Sequence, residues 1–123
     1  MKLLLMIGAI SGFITVALGA FGAHGLENRL SEKMLQTWEK AVQYQMFHTM
    51  AIFIAGILLI RTEIGMFQGA AWAFLIGIVL FSGSLYIYSL TSAKTFAMIT
   101  PVGGLAFLVG WAILAYGITR MTL

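Results

Sequence analysis

Apolar residues along this chain gather into four runs, Leu3–Ala23, Met46–Ile60, Gly69–Leu90 and Phe96–Ile118, parted by short polar breaks. Each run approaches or reaches the roughly 20 residues that carry a helix, at about 1.5 Å per residue, through a hydrocarbon layer about 30 Å thick. Ile7–Ala23 and Met98–Ile118 hold no charge on any face. A helix apolar all round belongs in lipid, or in a core larger than this chain can build. The pattern predicts an all-α, four-helix transmembrane bundle forming a single integral membrane domain over residues 1–123.

Between the first two runs the pattern turns amphipathic. At about 100° per residue, Met34, Trp38, Ala41, Val42, Gln45 and Thr49 fall on one side. Glu32, Gln36, Glu39, Lys40 and Gln43 fall on the other. Ser31 followed by Glu32 supplies a capping hydroxyl and an acid at a helix start, so an amphipathic helix is expected over about 31–47. No proline or glycine interrupts Ser31–Ala55. Two arrangements satisfy this: one long helix running into the second span, or a helix lying in the headgroup plane, anchored by Trp38 and Tyr44.

The breaks at Arg61-Thr62-Glu63 and Thr91–Thr95 are short enough to force antiparallel hairpins. Gly22–Gly25 are expected to end the first helix in the left-handed conformation open to glycine. Pro101 is expected in the first turn of the fourth, where its missing N–H costs nothing. Small residues four apart, as at Gly8/Gly12 and Thr15/Gly19/Ala23, let backbones approach closely in lipid. They make the first helix the expected centre of the bundle. Gly19 and Gly22 are expected at close contacts, and Gly65 and Gly117 at exposed ends.

Composition supports the membrane reading: 61% of residues are hydrophobic and 9% charged, against about 25% charged in soluble domains. A net charge of +3, scattered along the chain, suits anionic headgroups better than nucleic acid. Lys2 and the small residues near Ala23 imitate a secretory signal. The length and glycine spacing of the run argue for its retention as a helix. Four spans place Lys2, Arg61 and Arg120 on one side and Arg29, Lys33, Lys40 and Lys94 on the other, which gives the positive-inside rule no vote. Chains without cysteine have no disulfide or thiol chemistry.

Candidate chemistry concentrates around the amphipathic segment. Trp38, Ala41, Tyr44, Gln45 and His48 fall within about 120° on a helical wheel, and His24 follows the first span. Both histidines are therefore expected at one membrane boundary, turned towards the bundle. Two imidazoles near a carboxylate can hold a metal or relay protons. Metal sites usually want three or four protein ligands, and two histidines at one edge do not suit haem, so hydrogen bonds that tie helices together are the favoured reading. The expected site has no catalytic residue, no metal and no cofactor. It is a ligand- or partner-binding face made of His24, Trp38, Tyr44, Gln45 and His48. Ser82, Ser84 and Thr100 offer a substrate path as an alternative, though serine commonly bonds its own helix backbone, and Tyr86 and Tyr88 read as interfacial belt. The spans carry no charge in their middle thirds, which counts against an ion-coupled transporter.

Four ordered motifs carry a resemblance: Val16–Leu26 (Val-Ala-Leu-Gly-Ala-Phe-Gly-Ala-His-Gly-Leu), Trp38–Thr49, Phe81–Tyr86, and Thr100–Gly104 with Gly110-Trp111. Together they resemble the YwdK/YgdD-like family of small bacterial membrane proteins, a domain-of-unknown-function family with eukaryotic relatives. The resemblance covers nearly the whole chain. It implies a four-helix, multi-pass protein of the bacterial plasma membrane, brings no activity or catalytic residue, and marks His24, Tyr44 and His48 as positions of weight. The expected function is non-enzymatic: binding of a lipid, a small hydrophobic ligand or a protein partner. The alternative is a small transporter or channel subunit acting as an oligomer. Expected partners are membrane lipids, with a homo-oligomer or a membrane protein partner as further options, and no nucleic acid.

Overall fold

The computed structural model describes residues 2–122. Four helices follow one another: α1 (Lys2–His24), α2 (Glu32–Thr62), α3 (Met66–Thr91) and α4 (Lys94–Thr119), each long and apolar enough to cross a membrane. Their outward faces are greasy to a degree that water would not tolerate, with Phe13 at 78% and Met98 at 76% exposure. The apolar surroundings they require are those of lipid.

The amphipathic segment and the second span are one uninterrupted helix. Ser31 begins it by accepting a hydrogen bond from the Met34 N–H at 3.2 Å. Two tight connections reverse the chain without a left-handed glycine: Glu63 and Ser92 adopt left-handed conformations (φ 57° and 58°). Their N–H groups donate to Leu59 O and Tyr88 O, both at 2.8 Å. Left-handed glycines are absent among the described residues. The glycines near the end of α1 are therefore not there for backbone conformation, contrary to expectation. Gly22 serves packing instead: a Cβ at that position would strike the Trp38 indole.

α2, with α3, is central, and α1 is not. α2 packs against α1 on one flank and α3 on the other, while α1 lies chiefly along α2 and α4 along α3. In its spanning window 44% of α2 is buried, against 22% of α1. The small residues of α1 do mark a close contact, but with one neighbour: Gly8 meets Phe53, Gly12 meets Thr49 and Gly22 meets Trp38. A glycine stripe specifies one tight interface; it does not require contacts on several sides.

α3 and α4 interlock by rings set into glycines. Phe74 covers Gly110, Phe67 covers Gly117, and Phe107 covers Gly77, so Gly117 lies under a ring and not at an open end. Gly65 has nothing within 4 Å of a Cβ. Pro101 falls inside α4, past its first turn, because the helix begins at Lys94; the carbonyl four residues earlier loses its helical donor there. Midway along α3, Ile78–Ser82 widens into a π-helical turn, closed by Gly83 N–H to Ile78 O.

Candidate functional site

The registers of the helices fix the depth of every polar side chain. His48 lies about 24 Å along α2 from Glu32 and about 21 Å from Thr62, at 1.5 Å per residue. It meets Phe107 and Trp111 near the middle of α4 and Phe74 near the middle of α3. His48 is thus a mid-membrane residue. His24 is exposed at the end of α1, level with the region of Trp38, which sits about 15 Å along α2 from His48. The two histidines do not share a boundary. The sequence reading erred because it began the second span at Met46, whereas α2 is already inside the bundle at Trp38.

Two polar clusters occupy neighbouring flanks of α2. On the flank facing α1 and α3, Gln45 Nε2 donates to Ser11 Oγ at 3.2 Å. Tyr86 Oη donates to Gln45 Oε1 at 2.6 Å. The hydroxyls of Ser11 and Thr49 are bonded at 2.6 Å. One amide therefore ties three helices together, and Tyr86 is a core contact, not an interfacial belt residue. Trp38 belongs to the same seam, its Nε1–H donating to Leu18 O at 2.9 Å and its ring edge meeting Tyr86 at 4.7 Å between centroids.

On the other flank stands His48, 3% exposed. The Trp111 Nε1–H, which can only donate, reaches His48 Nε2 at 3.0 Å. Nε2 is therefore the acceptor, and Nδ1 carries the proton that it donates to Tyr44 O at 2.8 Å. The imidazole lies flat on Phe107, 3.5 Å between centroids and 8° between planes. Both ring nitrogens are engaged, in a neutral tautomer.

Beside this cluster α2 and α4 part, leaving an open groove of about 470 Å³. Gln43, Tyr44, Phe47 and His48 form the α2 wall. Gly104, Phe107, Leu108 and Trp111 form the α4 wall, and Phe81 of the π-turn lies between. Tyr44, 42% exposed, stacks on Phe81 at 4.5 Å. The groove opens sideways at hydrocarbon depth, and its surface is overwhelmingly carbon. A smaller cleft of about 220 Å³ separates α1 and α2 beside Gly19, Gly22 and Glu39.

Of the five residues singled out in the sequence, only Tyr44 and His48 line this groove. Trp38 and Gln45 are spent between helices, and His24 points outward. The face expected to run from Trp38 to His48 is divided, because α2 sets neighbouring positions against different partners. Trp111, Phe107 and Gly104 were missed. Their spacing as an i, i+3, i+7 stripe on α4, carrying one indole N–H opposite a lone histidine, is the signal that could have found them. The hydroxyls named for a substrate path are bonded within the bundle: Ser82 Oγ donates to Ala41 O at 2.7 Å, and Ser84 and Thr100 bond each other at 2.6 Å.

A family described as a protein of unknown function, DUF423, matches residues 18–104. A membrane protein of Staphylococcus haemolyticus labelled UPF0382 is 47% identical over 93% of either chain. The UPF0382 membrane protein YwdK of Bacillus subtilis is 46% identical over 90% of this chain and 91% of that one. A UPF0382 membrane protein of Haemophilus influenzae is 46% identical over 89% of this chain and 87% of its own. No solved structure matches.

Proposed function

The chain belongs to the DUF423 (UPF0382) family of membrane proteins, and we propose that it is a non-enzymatic binding protein of the bacterial plasma membrane whose α2–α4 groove takes up the hydrocarbon chain of a lipid. The observation that carries this reading is the groove itself: carbon-lined, open sideways at hydrocarbon depth, with His48 and Trp111 on its walls. Ligand sites are concave, mainly apolar, and furnished with a few oriented polar groups. Ionisable residues inside a membrane commonly mark such sites. The engaged nitrogens of His48 suit it to shaping the wall and not to proton transfer.

Trp111 reports on the groove directly. Phospholipids brominated on their acyl chains should quench its fluorescence in vesicles of a Trp72→Phe protein, in which Trp38 stays shielded at 3% exposure. Gly104→Leu should fill the groove and relieve that quenching. A Cβ at Gly104 would find nothing nearer than the Phe81 ring at 3.9 Å, so the fold should accept the change. Equal quenching with and without the leucine would overturn the proposal.

A further inference from the structure

The groove's α2 wall continues beyond the hydrocarbon as a positively charged stripe. Gln43, Tyr44, Phe47 and His48 centre on one direction of α2. At 100° per residue, Lys40 and Lys33 fall within about 20° of that direction, one and three turns nearer the start of the helix. Both are exposed, as is Gln36 between them. The positions three and four residues from Lys40 on either side are Gln36, Thr37, Gln43 and Tyr44, so no acid of the same helix is spaced to neutralise it. On the opposite wall, Lys94 begins α4 at the same boundary. Acidic side chains do not line the groove.

The depth of this stripe matches a lipid. Gly22 of α1 faces Trp38, so the end of α1's uncharged run marks the hydrocarbon boundary near Trp38 on α2. Lys40 sits about one half turn inside it, where a lysine carries its ammonium out along its own stem to the headgroups. Gln43 lies about one turn deeper, and the apolar groove begins there. Polarity therefore changes along one line from cation, to amide, to hydrocarbon-contacting rings.

We infer that the groove's occupant is an anionic phospholipid, its phosphate held at Lys40 and Lys33 and one acyl chain laid past Gln43 against Phe47, Phe107 and Trp111. This rests on the groove-binding reading above and adds the class of headgroup. A zwitterionic lipid has the same chains and brings its own cation, which the two lysines repel. Each lysine near an anionic head is worth about a five-fold preference.

The test compares Trp111 quenching by brominated phosphatidylglycerol and by brominated phosphatidylcholine of the same chains, at equal mole fraction, in the Trp72→Phe protein. Phosphatidylglycerol should be preferred. Lys33→Gln with Lys40→Gln should bring the two lipids to near parity while quenching by both persists. Lys2→Gln with Arg120→Gln, at the far boundary, should leave the preference intact. If the preference is absent from the parent protein, or survives loss of both α2 lysines, the headgroup assignment is overturned and chain binding still stands. Failure of Gly104→Leu to relieve quenching by either lipid overturns the groove reading itself, and the headgroup assignment falls with it.

Discussion

Gly103→Ala should destabilise this protein more than the addition of one methyl suggests. Gly103 is buried in α4 against the π-turn of α3, and a Cβ there would stand 2.7 Å from both Leu80 C and Phe81 Cα. These are backbone atoms, so no rotamer change can relieve the clash; the helices must separate. Overpacking costs about 1–3 kcal/mol, and a rigid obstacle places this case at the upper end. The ordinary gain of replacing a helical glycine by alanine, about 0.5–1 kcal/mol, offsets part of it, leaving a net loss of about 2 kcal/mol. Gly69→Ala is the matched control, because nothing lies within 4 Å of a Cβ at that position and only the gain applies. The two variants should therefore differ by about 3 kcal/mol by these estimates. Circular dichroism during titration of mixed micelles with dodecyl sulfate measures that difference. Equal midpoints for Gly103→Ala and Gly69→Ala would refute the close backbone approach of α3 and α4.

Three further outcomes are expected. Trp111→Phe removes the indole donor to His48 Nε2 and should cost about 1–3 kcal/mol in the same titration; His48→Phe in that background should recover part of it, since both polar partners are then gone. Gln45→Leu should lower stability by a similar amount by stranding Tyr86 Oη, and Tyr86→Phe added to it should restore much of the loss. A cysteine at position 24 should react with an impermeant maleimide in intact vesicles or on their inversion, whereas one at position 48 should react from neither side before unfolding.

The helices were legible because lipid imposes a simple demand, long runs without charge, and the sequence meets it four times. Helix order within the bundle was not legible in the same way. The glycine stripe of α1 reads as a tight contact and is one, but periodicity cannot distinguish a helix that is tightly packed on one side from one packed on two. α2 is central because its polar-looking positions Gln45, His48 and Thr49 point inward and find partners, whereas hydropathy alone pushes them to the edge. The same bias displaced the start of the second span to Met46. The π-turn left no trace in the pattern: Ile78–Ser82 is as apolar as its surroundings, and its cause is tertiary, with Ser82 reaching Ala41 O and Gly103 admitting the bulged backbone.

The candidate site was half legible for a related reason. His48 and Tyr44 stand out as polar residues in an apolar run, and a reader looking for chemistry asks what acid or metal could complete them. The residues that complete them are Trp111, Phe107 and Gly104, which resemble ordinary membrane-helix residues and gain meaning only when α4 is laid opposite α2. Phe107 provides a surface for the imidazole, Trp111 fixes its tautomer, and Gly104 leaves the gap beside it. Fixing a buried histidine as a neutral ring with both nitrogens engaged removes the reactivity that made it conspicuous. What is left is shape, a groove of about 470 Å³ whose walls are held by hydrogen bonds out of reach of water. Because the His48 and Trp111 nitrogens are paired within the protein, an apolar chain can enter beside them without stranding either group, the condition that makes burial beside His48 favourable.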